Sequence, residues 1–148
     1  DAARPLLTPE LIEALVARLE EVPEAAAAIA ATPVTDTIKQ AADRRAYGGS
    51  SDALSGPGME NASLAVERTV DRRRLWAAQT PQVFRTAALR EALTVDAARR
   101  DVATDESMLV EEAGGTVLLH RAGPENFKVT TPHDLRIAAS LLSEPTGA

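Results

Sequence analysis

Residues 24–34, EAAAAIAATPV, decide which fold class the sequence favours, because this stretch suits two different elements. Its alanine content favours a helix. A short run of small apolar residues that ends at Thr32-Pro33 also suits a strand buried in a parallel sheet. The next residues, VTDTIKQA (34–41), alternate as an extended chain does. We therefore interpret 24–34 as a buried strand.

Amphipathic stretches on either side of this strand predict helices. Thr8 and Thr104 are each placed to cap one of them, and the spacing of Thr131 and Asp134 is that of a capping box. The predicted helices cover residues 6–22, 85–100, the stretch from Thr104 to Gly114-Gly115, and the stretch from Thr131 to Leu142. Further extended segments are predicted at 74–84, 116–121 and 126–130. Strands that alternate with helices predict a layered α/β domain.

A segment rich in glycine and serine interrupts this pattern. Residues 46–61, AYGGSSDALSGPGMEN, are predicted to form a flexible surface loop. The segments before and after it, 34–42 and 62–70, both alternate. We expect them to pair as the two strands of a long hairpin.

Composition excludes several classes of site. The 148-residue chain has no cysteine, which rules out disulfides, zinc–thiolate sites and cysteine nucleophiles. Its formal net charge of −6 makes nucleic acid an unfavourable partner. The sequence has no apolar run long enough to span a bilayer and no visible signal peptide. We expect a cytoplasmic protein that binds neither nucleic acid nor membrane.

Small clusters of polar residues fall at the predicted strand ends, where α/β folds usually bind ligands. They combine threonine hydroxyls, cations and carboxylates, which suit phosphate groups and Mg²⁺. The same residue types also serve as ordinary helix caps, so composition alone leaves both interpretations open. The clusters are Asp1/Arg4, Asp36/Thr37/Lys39, Thr104/Asp105/Glu106 and Glu125/Asn126/Lys128/Thr130.

The amino-acid sequences of the motifs and their order along the chain are more specific than their composition. The chain contains DAARP (1–5), PVTDTIK (33–39), TVDRRRLWAAQTPQVF (69–84), TDES (104–107) and NFKVTTPHDL (126–135). In this order they resemble the 2-C-methyl-D-erythritol 4-phosphate cytidylyltransferases. The ribitol-5-phosphate cytidylyltransferases are the alternative, but they are expected to differ inside DAARP and usually lack the TVDR and LW wording.

The resemblance implies a Rossmann-like nucleotidyltransferase sheet with a protruding β-arm at 34–72. It also implies transfer of a cytidylyl group from CTP to methylerythritol phosphate in the non-mevalonate isoprenoid pathway, with Mg²⁺ as cofactor. In the family the arm crosses to the other subunit, so a homodimer with shared sites is expected.

Roles for single residues follow from the same resemblance. Asp1 matches an acid near the magnesium, and Lys128 a lysine at the phosphates, so both are expected to be catalytic. Glu125 matches an acidic position near the metal. The expected substrate-binding residues are Arg4, Thr80 and Thr104 around the pocket, with Thr37 and Arg72 on the arm reaching the neighbouring subunit's substrate phosphate.

One part of the family pattern is not found in this sequence. The Gly-rich loop that cradles the CTP phosphates in the family has no counterpart here. We therefore expect residues 1–148 to be the carboxy-terminal part of a cytidylyltransferase domain, with no CTP turnover by this chain alone. The alternative is a catalytically inactive module for substrate binding or dimerisation.

Overall fold

The computed structural model describes residues 3–42, 64–94 and 97–143, without the side chains of residues 97 and 98. Contacts divide the chain into two units. We call them the body (Asp1–Thr32 and Ala77–Ala148) and the arm (Pro33–Trp76). The predicted loop at 46–61 lies outside the described residues, as does Asp1.

The body contains five helices and a three-stranded sheet within its described residues. The helices are α1 (Pro9–Glu21), α2 (Thr86–Ala92), α3 (Ala97–Val102), α4 (Glu106–Glu112) and α5 (Pro132–Ser143). The strands of this sheet are β1 (Ala25–Pro33), β4 (Trp76–Phe84) and β5 (Thr116–Arg121), in the order β4-β1-β5. The arm contributes β2 (Lys39–Ala41), β3 (Val66–Thr69) and a short 3₁₀-helix (Arg72–Arg74).

The interpretation of 24–34 as a buried strand is confirmed. β1 is the central strand, is parallel to β5, and is buried from Ala25 to Ala31. β4 runs antiparallel to it, because Arg85 N–H donates to Ala26 O at one end and Val34 N–H to Leu75 O at the other. A strand covered on both faces is expected to be a continuous apolar run, as Ala25–Ala31 is.

The two faces of β1 pack against different helices. Leu15 and Leu19 of α1 pack with Ala28 and Ala30 on one face. The register of β1 shifts between Ala25 and Ala27, and Ala26 packs in a second cluster with residues of α2 and α4, among them Ala92, Leu109 and Val110. The body is therefore a sheet between helical layers, which confirms the predicted α/β class.

Two predicted elements are wrong. The predicted helix at 85–100 is not continuous, because α2 ends at Ala92 and α3 begins at Ala97. Just after α2, the N–H and the hydroxyl of Thr94 both donate to Glu91 O, at 3.0 and 2.7 Å. Competition of this kind is typical of threonine near a helix end. Residues 126–130 are not a strand; their one described backbone bond to another segment runs from Val129 N–H to Ala3 O, at 2.7 Å.

Both ends of α4 have recognisable caps, and one differs from the prediction. Asp105, not Thr104, is the N-cap residue. At the other end Gly114 adopts φ +85°, and Gly115 N–H donates to Val110 O as in a Schellman motif. The predicted glycine stop is confirmed, because a left-handed φ is readily adopted by glycine.

The capping box of α5 is confirmed. Asp134 N–H donates to Thr131 Oγ1 at 3.2 Å, and Thr131 N–H donates to Asp134 Oδ2 at 2.8 Å. Thr130 donates to the same carboxylate from its N–H and its hydroxyl. These hydrogen bonds, first that from the Thr130 N–H, lower the pKa of Asp134 to about 2.

The pairing of the two arm segments is also confirmed. β2 and β3 are antiparallel, with Lys39 opposite Thr69 and Gln40 opposite Arg68. Every residue of both strands is exposed in the single chain. Among the described residues, no helix is long and apolar enough to cross a membrane.

Candidate functional site

Thr80 and Thr104 line one pocket of the body, although they are 24 positions apart in the sequence. Thr80 comes from β4, and Thr104 precedes α4. The pocket encloses about 420 Å³, and its wall also includes Leu93, Arg100, Ala103, Asp105, Glu106 and Leu109. Two hydroxyls, two carboxylates and a guanidinium give this pocket both hydrogen-bond donors and hydrogen-bond acceptors.

Asp105 is held rigidly at the pocket wall. Its Oδ1 accepts from Met108 N–H and Ser107 Oγ–H, both at 2.9 Å, and its Oδ2 accepts from Gln82 Nε2–H at 2.9 Å. Burial acts to raise the pKa of this carboxyl, but the hydrogen bonds, led by that of Gln82, together lower it. Asp105 therefore stays an ionised acceptor, and Gln82 ties the start of α4 to strand β4.

A second connection joins Arg4 to Thr80 through Asn126. Arg4 Nη1 donates to the backbone oxygen of Asn126. The side-chain amide of Asn126 donates to Thr80 O at 3.0 Å and to Gln79 Oε1 at 2.8 Å. Burial lowers the pKa of Arg4, which nonetheless remains a cation because its usual pKa is far above neutrality.

Lys128 and Glu125 lie on the loop that follows β5, and both are exposed. The Glu125 carboxylate lies against Gly123, where a Cβ atom would be 2.1 Å from Glu125 Oε1. Within the described ranges no group of three acidic, histidine or cysteine side chains is placed to hold a metal ion. The predicted acid at position 1 lies outside those ranges.

Thr37 and Arg72 both belong to the arm and are both exposed. The Arg72 guanidinium donates to Thr35 O, so the 3₁₀-helix is linked to the segment before β2. Asp71 caps this 3₁₀-helix and forms an ion pair with Arg73 at 2.6 Å. Both of the arm residues that are predicted to bind phosphate therefore lie on its surface.

Two residues that organise the pocket were missing from the expected site: Gln82 and Asn126. Gln82 lies in AQTPQVF, where polar residues occur inside a strand without alternation, and that irregularity is the signal for it. Asn126 was part of a polar cluster, but nothing in the sequence indicates that it is buried to 3% exposure. Its burial depends on contacts with segments 46 and 122 positions away.

Comparison with known proteins identifies relatives over nearly the whole chain. The family model described as IspD, 2-C-methyl-D-erythritol 4-phosphate cytidylyltransferase, matches residues 1–144. The enzyme of that name from Bacillus licheniformis is 41% identical over 142 residues, covering 96% of this chain and 52% of the relative. A bifunctional enzyme IspD/IspF from Anaeromyxobacter sp. is 44% identical over 146 residues, covering 98% of this chain and 33% of the relative.

Solved structures agree with the sequence comparison. The crystal structure of 2-C-methyl-D-erythritol 4-phosphate cytidylyltransferase from Thermus thermophilus is 30% identical, with a TM-score of 0.68. The similarity covers 96% of this chain and 59% of that one. The chain therefore spans between a third and somewhat more than half of the length of these relatives, and it belongs to the 2-C-methyl-D-erythritol 4-phosphate cytidylyltransferase family.

Proposed function

We propose that this chain acts in the transfer of a cytidylyl group from CTP to 2-C-methyl-D-erythritol 4-phosphate. The products are 4-diphosphocytidyl-2-C-methyl-D-erythritol and pyrophosphate. The observation that carries the proposal is the pocket shared by Thr80 and Thr104 in a chain whose residues 1–144 match the family model. The ribitol-phosphate alternative is not favoured, because both the family model and the Bacillus licheniformis relative are named for methylerythritol phosphate.

The proposed reaction needs positioning and charge rather than covalent catalysis. A phosphate oxygen of methylerythritol phosphate attacks the α-phosphorus of CTP in line. The new P–O bond forms as the bond to the β-phosphate breaks, and pyrophosphate leaves with the bonding electron pair. Both reactants are anions, so cations that offset their charge and groups that hold them in line lower the barrier.

The pocket supplies groups that suit the polyol phosphate. The carboxylates of Asp105 and Glu106 can accept hydrogen bonds from substrate hydroxyls, while Thr80 and Thr104 can donate or accept. Arg100 lies at the same wall, and its positive charge complements the negative charge of the phosphate. Under this proposal Arg4, Lys128 and Arg72 contribute further positive charge, and Asp1 remains the proposed catalytic acid near the metal.

Mg²⁺ is part of the proposal. It usually binds one or two protein carboxylates and takes its other ligands from phosphates and water. Glu125 is exposed and would supply one carboxylate ligand, with Asp1 as the proposed second ligand. When bound, the ion neutralises phosphate oxygens. Calorimetric titration should show that Mg²⁺ binds to the chain and that Glu125→Gln weakens this binding. Glu24→Gln, which changes an exposed residue elsewhere in the body, should leave the binding unchanged.

A homodimer through the arm is also proposed. The arm's strands are exposed throughout, and a two-stranded hairpin alone is marginally stable in water. Burial against a second copy would stabilise it. Analytical ultracentrifugation should detect a dimer that Val66→Asp weakens, because Val66 is 57% exposed in the single chain. A monomer at all concentrations would contradict the proposal.

The reaction itself can be tested with a hybrid enzyme. Residues of this chain replace the 142 matched residues of the Bacillus licheniformis relative, and pyrophosphate release is measured with CTP and methylerythritol phosphate. We expect product from the hybrid and none from the 148-residue chain alone. A hybrid that folds but makes no product would contradict the proposed activity. The predicted cytoplasmic location is tested separately, by cell fractionation.

Arg72→Ala in the hybrid tests the arm's part in the site. We expect the KM for methylerythritol phosphate to rise by about tenfold to a hundredfold, because a charged hydrogen bond to the phosphate is lost. The KM for CTP should change much less. Arg74→Ala removes the same charge two residues away and serves as the matched control. Equal effects of the two substitutions would contradict the role of Arg72.

A further inference from the structure

Asn126 is one of two polar residues that are buried among the described residues, and the reaction scheme leaves it unused. It is 3% exposed, although it lies on a loop whose neighbours Glu125 and Lys128 are exposed. Buried polar side chains outside the core of a sheet need a physical reason, because desolvation costs free energy unless hydrogen bonds replace water.

The hydrogen bonds of Asn126 join three separate parts of the body. Its Nδ2 donates both protons, one to Gln79 Oε1 at 2.8 Å and one to Thr80 O at 3.0 Å. Its backbone oxygen accepts from Arg4, and its own N–H donates to Gly123 O at 3.2 Å. The residue therefore contacts strand β4, the amino-terminal segment and the turn after β5 at once.

Some polar atoms of this network have no partner among the described residues. Asn126 Oδ1 is buried, and no described residue donates a hydrogen bond to it. Arg4 Nε is also buried, and no described residue accepts a hydrogen bond from it. Unpaired buried polar atoms carry a desolvation cost, which an apolar residue of similar shape avoids. The two hydrogen bonds donated by Nδ2 fix the loop after β5 against strand β4, which is a geometric role that packing alone does not require.

That geometry concerns two groups of the proposed site. Asn126 holds the backbone of Thr80, whose side chain lines the pocket, and it lies two residues before Lys128. We propose that Asn126 is a positioning residue that sets the distance between the Thr80 side of the pocket and the loop carrying Lys128. Its effect on substrate use rests on the proposed function, whereas its linking role does not.

Hydrogen exchange of the 148-residue chain tests the linking role without any activity. Asn126→Ala should raise backbone exchange by about tenfold in both 76–84 and 126–130, because one residue's hydrogen bonds connect the two segments. The central strand, 25–31, should exchange as in the wild type. Gln79→Met removes only one of the two Nδ2 acceptors and should give a smaller rise in the same two segments. Ser140→Ala, on an exposed residue of α5, is the control.

Three results would overturn the linking role: a rise confined to 126–130, no rise at all, or an equal rise that includes 25–31. The last would mean that Asn126 serves only global stability. If Asn126→Ala does not fold, Gln79→Met decides by the same criteria, since Gln79 is only half-buried.

Kinetics in the hybrid enzyme test the consequence. Asn126→Ala should raise the KM for methylerythritol phosphate about tenfold, with a smaller fall in kcat, since Thr80 is held directly and Lys128 only through the chain. A fall in kcat with unchanged KM would overturn the positioning of Thr80. A wild-type hybrid without activity would instead contradict the proposed function, and the exchange result would still decide the linking role.

Discussion

The body and the arm use strands in opposite ways. β1 of the body is buried from Ala25 to Ala31 between helical layers, whereas β2 and β3 of the arm are exposed at every position. The body is stabilised by packing of small and branched side chains. Between the arm's strands, the described side-chain hydrogen bonds join exposed polar residues, such as Lys39 Nζ to Thr69 Oγ1 at 2.7 Å. Substitutions in the body should therefore change stability, and those in the arm should change binding or assembly.

The largest expected effect is in the core beneath β1. Leu15 is fully buried in α1, and Leu15→Ala should lower the free energy of unfolding by about 2–5 kcal/mol, because it leaves a cavity. Val66→Ala in the arm should cost less than about 1 kcal/mol. Urea denaturation followed by circular dichroism measures both. Val16→Ala, at a 41% exposed position of the same helix, is the matched control.

Equal losses at Leu15 and Val66 would break the distinction between the two units. Such a result would mean that Val66 is packed in solution, although 57% of it is exposed in the single chain.

A smaller effect is expected at the cap of α4. Asp105→Ala removes the acceptor for Met108 N–H and the partner of Gln82, and should cost about 0.5–2 kcal/mol. Glu106→Ala keeps the cap and should cost less. If the two substitutions destabilise the chain equally in urea, the carboxylate of Asp105 is not acting as the cap.

The sequence predicted those elements whose signals are local. β1, the arm hairpin, α1 and the capping box of α5 each follow from periodicity or from residues within one turn. The prediction of a single helix at 85–100 is wrong. The Thr94 hydroxyl donates to Glu91 O, and apolar periodicity gives no signal for that hydrogen bond. Thr104 was expected as a cap because threonine is a common N-cap, but Asp105 accepts the hydrogen bond of Met108.

The candidate site was predictable by motif more than by geometry. The family resemblance indicated Thr80 and Thr104, and the structure brings both to one pocket. It gave no signal for Asn126, because the burial of that residue arises from contacts with Arg4 and Thr80, far away in the sequence. Long-range contacts of this kind are set by the folded chain, and no local propensity predicts them.

The stability that the start of α5 contributes depends on pH. The pKa of Asp134, about 2, is below its ordinary value of 3.8, so its ionised form stabilises the folded chain. This contribution is complete above the unfolded pKa and is lost as the pH falls through the folded pKa. Asp134→Ala should therefore destabilise the chain at pH 7, with the difference from wild type narrowing between about pH 4 and pH 2.

Urea midpoints at pH 7, 5, 4 and 3 measure this difference. Asp101→Ala, at an exposed acid of α3, controls for the loss of one negative charge. A difference that stays constant down to pH 3 or grows there would contradict the role of the ionised carboxylate.

The smallest effect is expected in the arm itself. Gln40 accepts from Arg68 Nε at 2.8 Å and donates to Glu67 Oε2 at 3.1 Å, and all three side chains are exposed. Pairs of this kind usually contribute less than about 1 kcal/mol, so Gln40→Ala should barely move the urea midpoint of the dilute chain.

Repeating the urea measurement at a hundredfold higher protein concentration sharpens the comparison between the arm and the body. If a second copy covers the arm, the effect of Gln40→Ala grows with concentration, because association stabilises the folded state by mass action. If the effect is the same at both concentrations, the arm is stabilised within one chain, and the proposed dimer loses its physical basis.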